Sequence, residues 1–262
     1  MSVFVQSTQF EFSKNSKICV FTCVTGGYDS IRTPALQSLN IDYHCWTDNP
    51  NSVPNPWHVH CLESNGKSAK DLNRYIKINI ENNDVLNKYG TIIYVDGSIS
   101  IIGDLSDLVN RSEGDFDSVY AYDHPFRNCT YDEAFECARI GHDWLPIINR
   151  QMVRYAYQGL PRRCGLFECN VLVIRPGKSV YKMFAAWWKE YEHGAKRDQL
   201  SFVWSAIINN VQIRSLGASD PRFSQKKFRL EPHTQQNLGW LGKLRRLANL
   251  ILMIKRPNWL KS

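Results

Sequence analysis

The chain has 262 residues, 43% hydrophobic and 22% charged, a composition that supports one large packed core with short appendages. Its formal net charge of +7 suits an anionic partner: a phosphorylated small molecule, an acidic membrane surface or nucleic acid. Lys and Arg are spread along the chain rather than gathered into one dense stripe, which argues against nucleic acid.

The eight cysteines include no C-x-x-C pair, which argues against zinc, and several lie in apolar runs where a thiol behaves as a small hydrophobe. Residues 1–17 lack an apolar leader core and no apolar run is long enough to span a bilayer, so the expectation is a reduced, cytoplasmic protein.

In chain order, KICVFTCV (17–24) is an apolar, β-branched run emptying into Thr25-Gly26-Gly27-Tyr28-Asp29, the pattern of a buried strand and a tight loop. DYHCWTD (42–48) and WHVHCL (57–62) predict two more strands, separated by a Pro- and Asn-rich turn. Ser68 with Asp71 resembles a capping box, and Leu72, Tyr75, Ile76, Val85, Leu86 and Tyr89 predict one long helix. TIIYVD (91–96) is a buried strand broken by Gly97, followed by SISI and a short helix near Asp104.

FDSVYAYD (116–123) reads as a strand leading into a polar, aromatic region with two helical stretches about Pro146. CNVLVIRP (169–176) is a strand stopped by Pro176, followed by a helix through Trp187 and Trp188, a helix opened by Asp198, and a late strand, VQIRSL. Strands alternating with helices predict an open, mostly parallel α/β sheet with helices on both faces. Its ligand crevice is expected beyond the carboxyl ends of the strands, where Thr25 to Asp29, Asp48 and Asp96-Gly97-Ser98 fall.

Asp96 at a strand end suits a divalent cation, which needs only one or two protein carboxylates when phosphate oxygens complete its shell. A turn-forming or helix-capping Asp is the structural alternative. Arg74 and Lys77 suit phosphate, or equally the solvated face of a helix. Asp198 with Gln199 suits a helix cap as well as a catalytic acid or base. His124, Arg127, Tyr131 and Glu133 suit either sugar binding or a structural ion-pair cluster.

The order TGGYD, WTDNP, a helix with Arg74 and Lys77, then VDGSI, HPFRNCTYDEA and RDQLSF resembles nucleotide-sugar glycosyltransferases of the GT-A class. Over residues 17–235 it is most similar to a plant and bacterial glycosyltransferase-like family that includes mucilage-associated proteins. The resemblance implies a GT-A-like domain over 1–236, with Asp96 as the first carboxylate of an Asp-x-Asp motif whose second position is Ser98. It implies a Mn2+ or Mg2+ ion on Asp96 and His233. Val24, Thr25, Tyr28 and Asp48 would line the nucleotide, and Arg74, Lys77, Gly97 and Ser98 would approach the diphosphate. His124, Arg127, Tyr131 and Gln199 would face sugar or acceptor, and Asp198 or Glu168 would be the catalytic base.

From residue 237 to 262 a basic, amphipathic segment follows, suited to an anionic membrane surface at the inner face or to docking on its own domain. The expected function is sugar transfer to a glycan or lipid-linked acceptor in surface polysaccharide synthesis. The rivals are a nucleotide-sugar-binding module without catalysis, which Ser98 makes conceivable, a nucleotidyltransferase, and a lipid amide hydrolase. The hydrolase lacks any H-E-x-x-H, G-x-S-x-G or Cys-His signature here.

Overall fold

Alternation along the central strands dictates a sheet covered on both faces. In the computed structural model, which describes residues 17–232 and 240–253, β1 (Ile18–Val24) sends Cys19, Phe21 and Cys23 into one core layer and Val20 into the other. The strands β4 (Thr91–Val95), β6 (Ser118–Asp123) and β7 (Phe167–Arg175) divide in the same way. With β2 (Ile41–Thr47), β3 (His58–Cys61) and β8 (Ile213–Ser215) they form a seven-stranded sheet in the order β3-β2-β1-β4-β7-β6-β8. Only β7 runs antiparallel to its neighbours, so the mostly parallel sheet expected from the sequence is present. A two-stranded ribbon pairs β5 (Ile99–Ile101) with β9 (Phe228–Leu230), the latter with no counterpart among the predicted strands.

One face is covered by α1 (Ala69–Ile78), α5 (Lys178–His193) and α6 (Gln199–Ile208), whose Ile76, Ile78, Phe184, Trp187 and Phe202 join the first layer. Across the sheet, α2 (Ser106–Ser112) contributes Leu108 and Val109 beside the ribbon. A third cluster joins α3 (Thr130–Ile140), α4 (Leu145–Tyr157) and α6 through Ala134, Ile148, Tyr155 and Trp204, and α7 (Trp240–Met253) lies against α3.

The helix expected to run from Ser68 to Tyr89 is shorter. Ser68 caps it by accepting the Asp71 N–H, but Asn79 leaves the helical region (φ −90°, ψ 54°), and Asn83 Oδ1 then accepts the N–H groups of Val85 and Leu86. Asn side chains that hydrogen-bond their own backbone compete with helix continuation. Pro146, expected between two helices, sits in the first turn of α4, where its missing N–H costs nothing. All eight cysteines are free thiols, and among the described residues no helix is long and apolar enough to cross a membrane.

Candidate functional site

The chain leaves β1 toward β2 on one side and returns to β4 on the other, so the topological switch point lies between β1 and β4. The loops after both strands meet there. Gly97 touches the first loop so closely that a Cβ on it would stand 2.5 Å from Val24 Cγ2 and 3.2 Å from Asp29 Cβ. Gly26 and Gly27 take positive φ (67° and 63°), and a Cβ on Gly26 would stand 2.9 Å from Ala69 at the start of α1. Thr25 Oγ1 donates to Ala69 O at 2.7 Å, and Asn73 Nδ2 donates to Cys23 O at 2.5 Å. The amino end of α1, the positive end of its dipole, is thereby fixed beside this loop.

Asp48, at the end of β2, accepts the Gly26 N–H at 2.8 Å, so Asp48 and Asp96 stand on the same rim, as the sequence pattern required. Asp96 is half-buried; its N–H donates to Asn170 O at 2.8 Å and its Oδ1 accepts the Gly97 N–H at 2.9 Å. Ser98 is buried, and its carbonyl accepts the Glu231 N–H at 2.8 Å. Tyr28, in the loop after β1, is exposed.

Arg74, on α1, lies 3.2 Å from Asp198 Oδ2, and Lys77, one turn further, lies 2.5 Å from the same oxygen. Burial weakens the Arg74 charge, but Asp198 and Asp96 outweigh it and hold the guanidinium more firmly protonated than a free arginine. Lys77 is 1% exposed and faces the rings of Tyr94 and Trp187, so it holds Asp198 from beneath and does not line the crevice. Asp198 caps α6, accepting the Gln199 N–H at 3.1 Å. Burial raises its carboxyl, while Arg74, Lys77 and Arg197 together hold it far below the ordinary carboxylate range. A carboxylate so strongly stabilised is a poor proton acceptor, and the base role implied for Asp198 finds no support in this geometry.

Glu168, the other base candidate, is buried and engaged by Arg222 and Ser219. Gln199 accepts from Arg197 and donates to Phe167 O, each at 2.8 Å. Glu133 joins the polar patch to this region: Arg127 Nε lies 2.7 Å from it, His124 Nε2 3.7 Å and Arg197 3.5 Å. His124 Nδ1 accepts the Arg127 N–H at 3.1 Å, so a neutral ring carries its hydrogen on Nε2, toward Glu133. Tyr131 is 2% exposed in the third core cluster and donates to Leu160 O at 2.9 Å, so it holds the helices together and does not face a ligand. His233 lies outside the described residues.

Four residues not singled out from the sequence belong here. Asn170 follows Glu168 at the alternate-residue spacing that puts both on one face of β7, and its Oδ1 is buried with no hydrogen-bond partner among the described residues. Arg197 precedes Asp198 in the R-D-Q run, and its buried Nε is likewise unpartnered among the described residues. Lys70, one turn before Arg74, is solvent-exposed, and its pKa is lowered by desolvation and by Arg74, against Asp198 and Asp143. His142 is solvent-exposed, and its pKa is lowered by desolvation and then by Arg197 and Lys70. Lys70, Arg74 and Arg197 form a cationic border beside the carboxylates. No family model matches the chain, and no curated protein is similar enough in sequence to name a family.

Proposed function

We propose that this protein binds a nucleotide diphosphate sugar in the switch-point crevice and transfers the sugar to a glycan or lipid-linked acceptor, in the manner of GT-A glycosyltransferases. The observation that carries the reading is the meeting of four elements at one rim: the glycine loop after β1, Asp48, the Asp96-Gly97-Ser98 turn, and the amino end of α1 with Arg74. Glycine turns let a ligand approach the backbone, a helix amino end and an arginine favour phosphate, and Asp48 offers an acceptor to ribose or base. A lipid-linked acceptor puts the enzyme at the inner face of a membrane, in surface polysaccharide synthesis.

Stabilising the departing diphosphate is the main chemical task of such a site. Arg74 feels the charge of Asp96, and the ion pair with Asp198 fixes its direction before the ligand arrives. Asp198 is therefore a positioning residue. Among the described residues no group of three or more His, Cys, Asp or Glu side chains is arranged to hold a metal. Asp96 with a neutral Ser98 still fits a Mn2+ or Mg2+ ion that draws its other ligands from phosphate and water. Such an ion would supply Lewis-acid neutralisation of the diphosphate.

A second reading is a nucleotide-sugar-binding module without turnover, favoured by the engagement of both base candidates in ion pairs. Incubation with a panel of nucleotide sugars, reading nucleotide release with and without acceptor extracts, tests both. Release with one donor supports transfer; saturable binding without release supports the module; neither binding nor release removes the nucleotide-sugar reading.

A further inference from the structure

Helix α7 meets the body of the protein through a narrow polar seam. Asn249 is fully buried; its Oδ1 accepts the Leu145 N–H at 2.8 Å, and its Nδ2 donates to Ala138 O at 2.9 Å and Asp143 O at 2.8 Å. Arg245 Nε donates to Gly141 O at 2.7 Å, and Gly242, seven residues before Asn249, is buried beside the same seam. At 3.6 residues per turn Gly242 and Asn249 share one side of the helix, while Trp240, Leu244, Leu247 and Ile251 fall within about 60° of one another on the opposite side.

Those four side chains are 70%, 51%, 57% and 59% exposed, and Leu241 and Leu250 extend the patch at 62% and 41%. The helix is thus held through Gly242, Arg245 and Asn249, with Met253 reaching the third core cluster, while its main apolar stripe faces out, the reverse of one that uses that stripe to join a core. The three hydrogen bonds of Asn249 fix its rotation, because rolling the stripe inward would bury a broken amide network. A contiguous outward patch of this kind marks an interaction surface.

We propose that this face seats the protein on an anionic lipid bilayer surface. Charge selects the occupant: residues 233–262 contain six Lys or Arg and no Asp or Glu, and Lys243 and Arg246 are exposed on the helix itself. An apolar stripe with a Trp at one end and basic residues alongside matches the interface of acyl chains and anionic headgroups. The placement specifies the membrane-proximal part of the function proposed above, and it stands apart from the chemistry of the crevice.

Flotation of the full chain with phosphatidylcholine vesicles, with and without phosphatidylglycerol, tests it. Wild type binds the anionic vesicles, and Leu244→Glu with Leu247→Glu lowers that binding by about tenfold or more with an unchanged melting temperature, since both side chains are exposed. Lys243→Ala with Arg246→Ala removes the preference for phosphatidylglycerol. Equal flotation of wild type and the double Glu variant overturns the proposal. So does a dimer in analytical ultracentrifugation that the double Glu variant splits, because a second copy then covers the face. Nucleotide release in the absence of vesicles is unchanged in these variants, so failure of the crevice reading shows separately.

Discussion

Lys77 Nζ stands 2.5 Å from Asp198 Oδ2 across 121 residues of sequence, with the two residues 1% and 3% exposed. The pair ties α1, whose amino end borders the crevice, to the start of α6, and Trp187 Nε1 donates to the Asp198 carbonyl at 2.8 Å beneath it. Removing the carboxylate leaves Lys77 buried and Arg74 without its anchor. Asp198→Asn is therefore expected to destabilise the fold by about 3 kcal/mol or more, read as a drop in the urea midpoint. A stability unchanged within error would show that the pair is not formed in solution.

The same carboxyl sets an acid limb. Its folded pKa is depressed, by Arg74, Lys77 and Arg197 against the effect of burial, so its contribution is complete above the unfolded value of about 4 and is lost as pH falls through the depressed folded value. Wild type is expected to lose stability steadily below about pH 4, and Asp198→Asn to show a shallower slope over the same range. Parallel slopes in urea titrations across that range would remove Asp198 as the source.

At the rim, Asp96→Asn is expected to keep the melting temperature while lowering transfer by about a hundredfold, because one preorganised electrostatic partner is lost. Arg74→Ala acts on the same charge from the other side and lowers turnover more than donor affinity. Sugar transfer measured across Mn2+ and Mg2+ titrations with EDTA controls separates the two contributions. Full wild-type activity in EDTA removes the metal and leaves the arginine, and an unimpaired Asp96→Asn takes Asp96 out of the site.

Gly97 is held by contact. An added methyl group would stand 2.5 Å from Val24 Cγ2, with Asp29 Oδ2 at 3.2 Å, so the loop after β1 must shift. Gly97→Ala is expected to cost about 1–3 kcal/mol and to weaken nucleotide binding through displacement of Thr25 and Gly26. Calorimetric titration with a nucleotide diphosphate checks this, and an unaltered affinity would place the nucleotide away from the switch point.

Much of the sheet is legible in the sequence because buried parallel strands are short apolar runs ending in polar turns: Ile18–Val24, Ile41–Thr47 and Thr91–Val95 each read that way. Because all three run in one direction, the polar residues that follow them, Asp48 and Asp96 among them, fall at one rim. The strand Phe228–Leu230 is not legible, because three residues pairing only with Ile99–Ile101 carry no periodicity of their own. Lys77 and Tyr131 look like ligand-facing groups in one dimension, but whether a Lys lines a cleft or lies beneath it depends on Tyr94 and Trp187, which arrive from other elements. Asn170 is marked in sequence only by its spacing from Glu168, and its place beside Asp96 comes from the antiparallel pairing of Val95 with Val171.

His142 reports on whether an anion enters the cationic border. The ring is solvent-exposed, and desolvation by its neighbours, then Arg197 and Lys70, lower its pKa, with Glu133 opposing them. A diphosphate placed against Lys70 and Arg197 neutralises the repulsion and favours the protonated ring, so the pKa is expected to rise on binding. By linkage, the complex takes up protons between the free and bound values, and affinity strengthens as pH falls through that interval. NMR titration of the His142 ring, with and without a saturating nucleotide diphosphate, measures both values. Lys70→Ala provides the control, since removing that cation should raise the pKa without ligand. A ring that titrates identically in the free and bound protein, while the Lys70→Ala shift is present, would place the diphosphate outside the border formed by Lys70, Arg74 and Arg197.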